Sequence, residues 1–217
     1  MKPHGLIPDE WLLSYAAGAL SEAHALLVAS HAEYHPELKS KIKDAEDIGG
    51  SMMDEFEPSD INQDALDNVF ARIDALPADT PVDVTDKFDS NLPLPLANYL
   101  DGDLSDLKWR IMGPGMSQVR LWTGPNDERL WLLKARGGTE IPKHDHSGNE
   151  MTLILQGGYR VGDKHFTVGD LELADNEMVE HQPIIDEGED CICLVVTEAP
   201  IKLHSFIGRM MQPFIGL

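Results

Sequence analysis

Four residues in the second half of the chain have the types and the spacing to hold a metal ion. His144 and His146 stand at i and i+2 in Lys143-His-Asp-His146. On an extended segment alternate side chains project to one side, so both imidazoles address one point. Glu150 follows just past Ser147-Gly-Asn149 and can add a carboxylate oxygen, and His181, in Val179-Glu-His-Gln-Pro183, offers a third imidazole. Three histidines and one carboxylate make a nitrogen and oxygen shell suited to Zn, and donors of this kind also accept Fe, Mn, Ni or Co. A His-x-His pair standing by itself is as readily a surface pair. Here it lies within Gly138-x5-His144-x-His146-x3-Glu150-x6-Gly157, followed by Gly169-Asp170 and then His181.

Positioning those residues is the task of the surrounding elements. The chain has 217 residues, 42% hydrophobic and 25% charged, enough for one large domain or two small ones with a real core. Its character changes near residue 80. Residues 1–80 carry 16 acidic and 5 basic side chains and read as helical. Trp11, Leu12, Tyr15, Ala16 and Ala19 recur at helical spacing after Pro8-Asp9. Ser21 is placed to cap a second helix, Pro36 marks the next boundary, and a third, charged helix is expected to stop at Gly49-Gly50. Leu66, Val69, Phe70, Ile73 and Leu76 then form an amphipathic stripe ended by Pro77. That stripe either clamps a partner or docks on the first helices.

A stretch rich in Pro and Asp follows, and beyond it the texture is β. Val119, Leu121, Leu130, Leu132, Leu153 and Leu155 sit in short alternating runs broken by glycine-containing turns. Short strands at this spacing predict an all-β barrel or jelly roll. The expected organisation is an N-terminal helical domain over residues 1–85, a linker over 86–96 and a β domain over 97–217.

The formal charge of −21 at pH 7 argues against direct contact with nucleic acid or an anionic membrane, since both reward Lys and Arg. No run of 18 apolar residues occurs, and the N-terminus lacks the apolar region of a signal peptide, so a cytoplasmic location is expected. The two cysteines, Cys191 and Cys193, are too few for a secreted disulfide scaffold. Alternation along Cys191-Ile-Cys-Leu-Val-Val196 puts both sulfurs on one face. They read either as small core residues or as a redox-sensitive pair facing the same lumen as the metal. A disulfide between them would need distortion, because Cα atoms at i and i+2 of a regular strand lie about 7 Å apart. His165 and His204 have no partners at ligand spacing. No Ser-His-Asp order, phosphate-cradling glycine loop or Cys-x-x-Cys pair supports a hydrolase, nucleotide-binding or thioredoxin class.

The histidine and glutamate pattern resembles the two motifs of the cupin superfamily, over roughly residues 95–205. That likeness implies a double-stranded β-helix binding one divalent metal, zinc foremost, through His144, His146, Glu150 and His181. The second motif departs from the family form, with Asn176-Glu-Met-Val-Glu-His181 in place of a Pro-x-Gly segment. The order of domains, with Leu13-Ser-Tyr-Ala-Ala-Gly-Ala-Leu-Ser-Glu-Ala23, Val28-Ala-Ser-His31, Gly49-Gly-Ser-Met52 and the Cys191-Ile-Cys193 strand, is similar to the ChrR type of anti-sigma factor nearly end to end. That resemblance implies a regulator whose helical domain sequesters an extracytoplasmic-function sigma factor and whose cupin domain releases it under oxidative stress. It leaves a homodimer open. It also implies a zinc in the helical domain, held by an upstream histidine and His-x3-Cys-x2-Cys. Here that stretch is His31-Ala-Glu-Tyr-His35-Pro-Glu-Leu38, so His4, His31 and His35 are the remaining candidates for a second metal site. An alternative from the intact barrel motif alone is a cupin metalloenzyme, a dioxygenase or isomerase acting on a small molecule, or a barrel in which the ion is only structural.

Overall fold

The computed structural model describes residues 5–77, 92–178 and 180–200, together with the backbone of 202–203. His4, His204 and most of the expected linker lie outside the described residues. Among the described residues five α-helices come first: α1 (Asp9–Ala16), α2 (Glu22–Tyr34), α3 (Pro36–Met53), α4 (Ala65–Asp74) and α5 (Leu94–Leu100). The Ser21 hydroxyl accepts from the His24 N–H at 3.4 Å and caps α2. Pro36 opens α3 at a position whose N–H has no helical partner in any case. α3 does not stop at Gly49-Gly50 but runs on to Met53. Its first half is anchored by buried Leu38 and Ile42, and each interior glycine costs only about 1 kcal/mol against alanine, too little to end an anchored helix. α5 begins inside the expected linker and buries Leu96 and Ala97.

Eleven strands follow among the described residues: β1 (Arg110–Gly113), β2 (Met116–Thr123), β3 (Arg129–Ala135), β4 (His144–Asp145), β5 (Glu150–Gln156), β6 (Gly158–Val161), β7 (Lys164–Thr167), β8 (Leu171–Ala174), β9 (Ile184–Ile185), β10 (Cys191–Thr197) and β11 (Lys202–Leu203). They form an antiparallel six-stranded sheet in the order β1-β2-β3-β10-β5-β8, a three-stranded sheet β7-β6-β9 and the pair β11-β4.

The alternation of the central strands decides where everything else sits. β10 is buried at all seven positions, and its two faces serve different cores. Ile192, Leu194 and Val196 join Leu130, Leu132, Met151 and Leu153 in one apolar cluster with Leu12, Leu27, Val28 and Leu38 of the helices. Cys191, Cys193 and Val195 point the other way and meet Trp131 and Ile154, with Tyr159, Phe166 and Ile185 of the three-stranded sheet. The first face is thus the outer wall on which the helical domain packs, and the second is the interior between the sheets. Gly157, a motif glycine, has φ +67, and a Cβ there would sit 2.8 Å from the Asp190 carbonyl oxygen, so only glycine fits.

Polar contacts join the helices to the barrel as well. Ser21 and His24 both meet Glu128, the latter at 3.0 Å. The Leu171 N–H donates to the Gly5 carbonyl at 2.8 Å.

Candidate metal centre

His144 and His181 face each other across an isolated antiparallel bridge and exchange both backbone hydrogen bonds, at 3.1 and 3.0 Å. Glu180, just before His181, takes a left-handed φ of 53, and its N–H is held by Asp145 Oδ1 at 2.9 Å. The His-x-His spacing does the rest. The centroids of the His144, His146 and His181 rings lie 4.9–5.0 Å apart. His181 Nδ1 is 3.1 Å from His146 Nε2 and 3.2 Å from His144 Nε2. All three rings are buried, and they are the only group of three or more His, Cys, Asp or Glu among the described residues with converging ligand atoms.

The opposite nitrogen of each ring faces an oxygen. His144 Nδ1–H donates to the Pro142 carbonyl at 2.8 Å. His146 Nδ1 faces Glu150 Oε2 at 3.8 Å, and His181 Nε2 faces Glu172 Oε1 at 3.3 Å. A ring that gives one N–H to an acceptor turns the lone pair of its other nitrogen outward, which is how metal-binding imidazoles are held. Removal from water draws the His144 and His146 pKa values down to about 4, so both rings are neutral near pH 7 and free to coordinate. The donor set therefore fits a borderline divalent ion.

The structure gathers three of the four expected ligands at one point. The Glu150 carboxylate stands behind His146 rather than among the three nitrogens, and burial lifts its pKa to about 7. Sequence reasoning missed Glu172, 4% exposed, which accepts from the Tyr159 hydroxyl at 2.6 Å. Its signal was faint, since Leu171-Glu-Leu173 reads as a strand with a solvated polar face. The Cys191 and Cys193 thiols lie in the same interior, with sulfurs 3.5 Å apart. The hydrogen bond to Cys191, followed by burial, pushes Cys193 well above the ordinary thiol range, which keeps it protonated.

In the helical domain the picture differs. Leu38 is 1% exposed within the main core. His35 Nε2–H donates to the Gly169 carbonyl at 2.8 Å, and its other nitrogen is 3.5 Å from Glu37. His31 is fully buried, packs edge-on against His35 at 4.8 Å, and neither of its ring nitrogens has a hydrogen-bond partner. Burial, then the His35 charge, lowers its pKa to about 4. Two rings do not by themselves make a zinc site, and the third candidate, His4, lies outside the described residues. His165, without a ligand-spaced partner in the sequence, pairs with Asp186 at 2.6 Å.

Comparison with known proteins agrees with this architecture. A family model described as the ChrR cupin-like domain matches residues 101–200. The chain is 39% identical over 211 residues to the anti-sigma-E factor ChrR of Cereibacter sphaeroides, covering 97% of each. Its structure is similar to that of the Rhodobacter sphaeroides SigE complex with the anti-sigma ChrR, with a TM-score of 0.76, 38% identity, and coverage of 90% of this chain and 98% of that one. The match spans the helical domain and the barrel together, and the chain belongs to the ChrR family of anti-sigma factors.

Proposed function

We propose that this chain is a cytoplasmic anti-sigma factor that holds an extracytoplasmic-function sigma factor against its helical domain and answers oxidative stress through its cupin barrel. The observation that carries the partner reading is α4. Leu66, Val69, Phe70, Ile73 and Leu76 are 50–66% exposed, and no residue of this helix is buried. A five-residue apolar stripe left in water marks a surface meant for another protein. The related ChrR is seen in complex with SigE, which supports a sigma factor as the occupant. The acid-rich helices suit a partner with basic surfaces.

In the barrel, His144, His146 and His181 would hold one divalent ion, with zinc the leading candidate, and Glu150 is the expected fourth ligand. Such an ion would supply a Lewis-acid centre that ties the β4 segment to the bridge at His181. The oxidative response is assigned to this domain because its interior also holds the Cys191 and Cys193 pair. The outer wall of the same sheet is the floor of the helical domain, which supports a route from barrel to partner.

The test is recovery of the tagged full chain from unstressed cells of its own source, with mass spectrometry of what co-purifies. A stoichiometric sigma factor is the expected result. Recovery of the chain alone under reducing conditions overturns the reading.

A further inference from the structure

A buried carboxylate and hydroxyl, Glu172 and Tyr159, stand behind His181. Glu172 lies on β8 directly opposite Thr152 of β5. Its neighbours Leu171 and Leu173 belong to the outer cluster, so strand alternation turns Glu172 into the barrel. A carboxylate out of water is costly unless its oxygens are engaged. One oxygen, Oε2, accepts from Tyr159 Oη at 2.6 Å. The other, Oε1, has no hydrogen-bond partner and neither does His181 Nε2, and these two orphaned atoms face each other at 3.3 Å. His181 Nδ1 is the nitrogen that joins His144 and His146.

We infer that Glu172, anchored by Tyr159, is a positioning residue that fixes His181 in the tautomer presenting Nδ1 to a metal ion. The Nε2–H of His181 donates to Glu172, and the Nδ1 lone pair is thereby aimed at the point shared with His144 and His146. Tyr159 is well suited to the anchoring role. It is buried on β6, in the facing sheet, and burial followed by the Glu172 charge keeps its hydroxyl protonated as a donor. Pro142 does for His144 through a backbone carbonyl what Glu172 does for His181 through a side chain. Partners of this kind typically alter metal affinity by about 10- to 100-fold.

This inference rests on the reading of the three-histidine cluster as a metal site. The test uses the full chain, prepared metal-free, and titrated with Zn(II) against a chelating dye and with Co(II) while the visible ligand-field bands are recorded. For Glu172→Gln the expected result is roughly a 10-fold or greater loss of affinity with shifted Co(II) bands, at unchanged far-UV circular dichroism. For Tyr159→Phe a smaller loss in the same direction is expected. Parent binding with E172Q matching it in affinity and in band positions overturns the inference while leaving the metal site standing. If E172Q does not fold, Y159F decides by the same two readouts. A parent chain that takes up neither ion overturns the metal reading and this inference with it.

Discussion

At the scale of single residues, burial keeps His144 and His146 of the barrel site neutral, and that has a defined pH signature. His144, His146 and His31 have native pKa values near 4, against about 6.5 in an unfolded chain. Between those values the unfolded state takes up protons that the native state refuses, so stability falls as pH drops from 6.5 towards 4. Each ring contributes at most on the order of 3 kcal/mol. Glu150 works in the opposite sense. Its pKa near 7 means its contribution is complete below about 4.5 and is lost as pH rises through 7. Three rings against one carboxylate leave the metal-free chain acid-labile, and urea midpoints measured across pH 7 to 5 are expected to fall. A second expectation concerns the proposed metal ligands. His144→Ala, which removes one of three nitrogens, lowers zinc affinity by about two orders of magnitude or more, read by elemental analysis after dialysis against a chelator.

At the scale of elements, α2 and α4 are both helices with apolar residues, yet they take opposite roles. Leu27 and Val28 of α2 are fully buried against the sheet. Leu27→Ala should therefore cost about 2–5 kcal/mol, the usual toll of a core truncation, measured by urea denaturation of the full chain. Phe70 of α4 is exposed, so Phe70→Asp should change stability by no more than about 0.5 kcal/mol. The same substitution places a charge in the proposed sigma contact, and a loss of about 2 kcal/mol or more there means binding weakened by roughly 30-fold or more. Calorimetric titration with the purified sigma factor measures it. A variant that binds normally removes α4 from the interface.

For the whole molecule, the decisive feature is that one apolar cluster runs from α1, α2 and α3 into β3, β5 and β10. Small single cores unfold as one unit. The helical domain and the barrel are accordingly expected to melt together, with tryptophan fluorescence and far-UV circular dichroism giving coincident urea transitions. Two separated transitions would contradict a shared core. The contacts that flank this interface, Glu128 with His24 and Gly169 with His35, fix the register of one domain on the other. No helix among the described residues is long and apolar enough to cross a membrane.

Some of this was written in local order. Helix stripes, the Ser21 cap, strand alternation and the same-side geometry of His144 and His146 follow from backbone periods of 3.6 and 2, which act between near neighbours in the chain. Those periods are set by covalent geometry and need no knowledge of the rest of the molecule. They placed the helical and β halves and named the three rings that converge. What they could not state was what lies on the far side of each face. Glu172 between two leucines looks solvated until a second sheet closes over it, and the α4 stripe reads equally as partner clamp or as packing face until it is seen exposed among the described residues. Gly49-Gly50 looks like a stop until the packed first half of α3 carries the helix through. Each of these outcomes depends on which distant elements stack together, and burial, the quantity that sets both stability and pKa, exists only once they have.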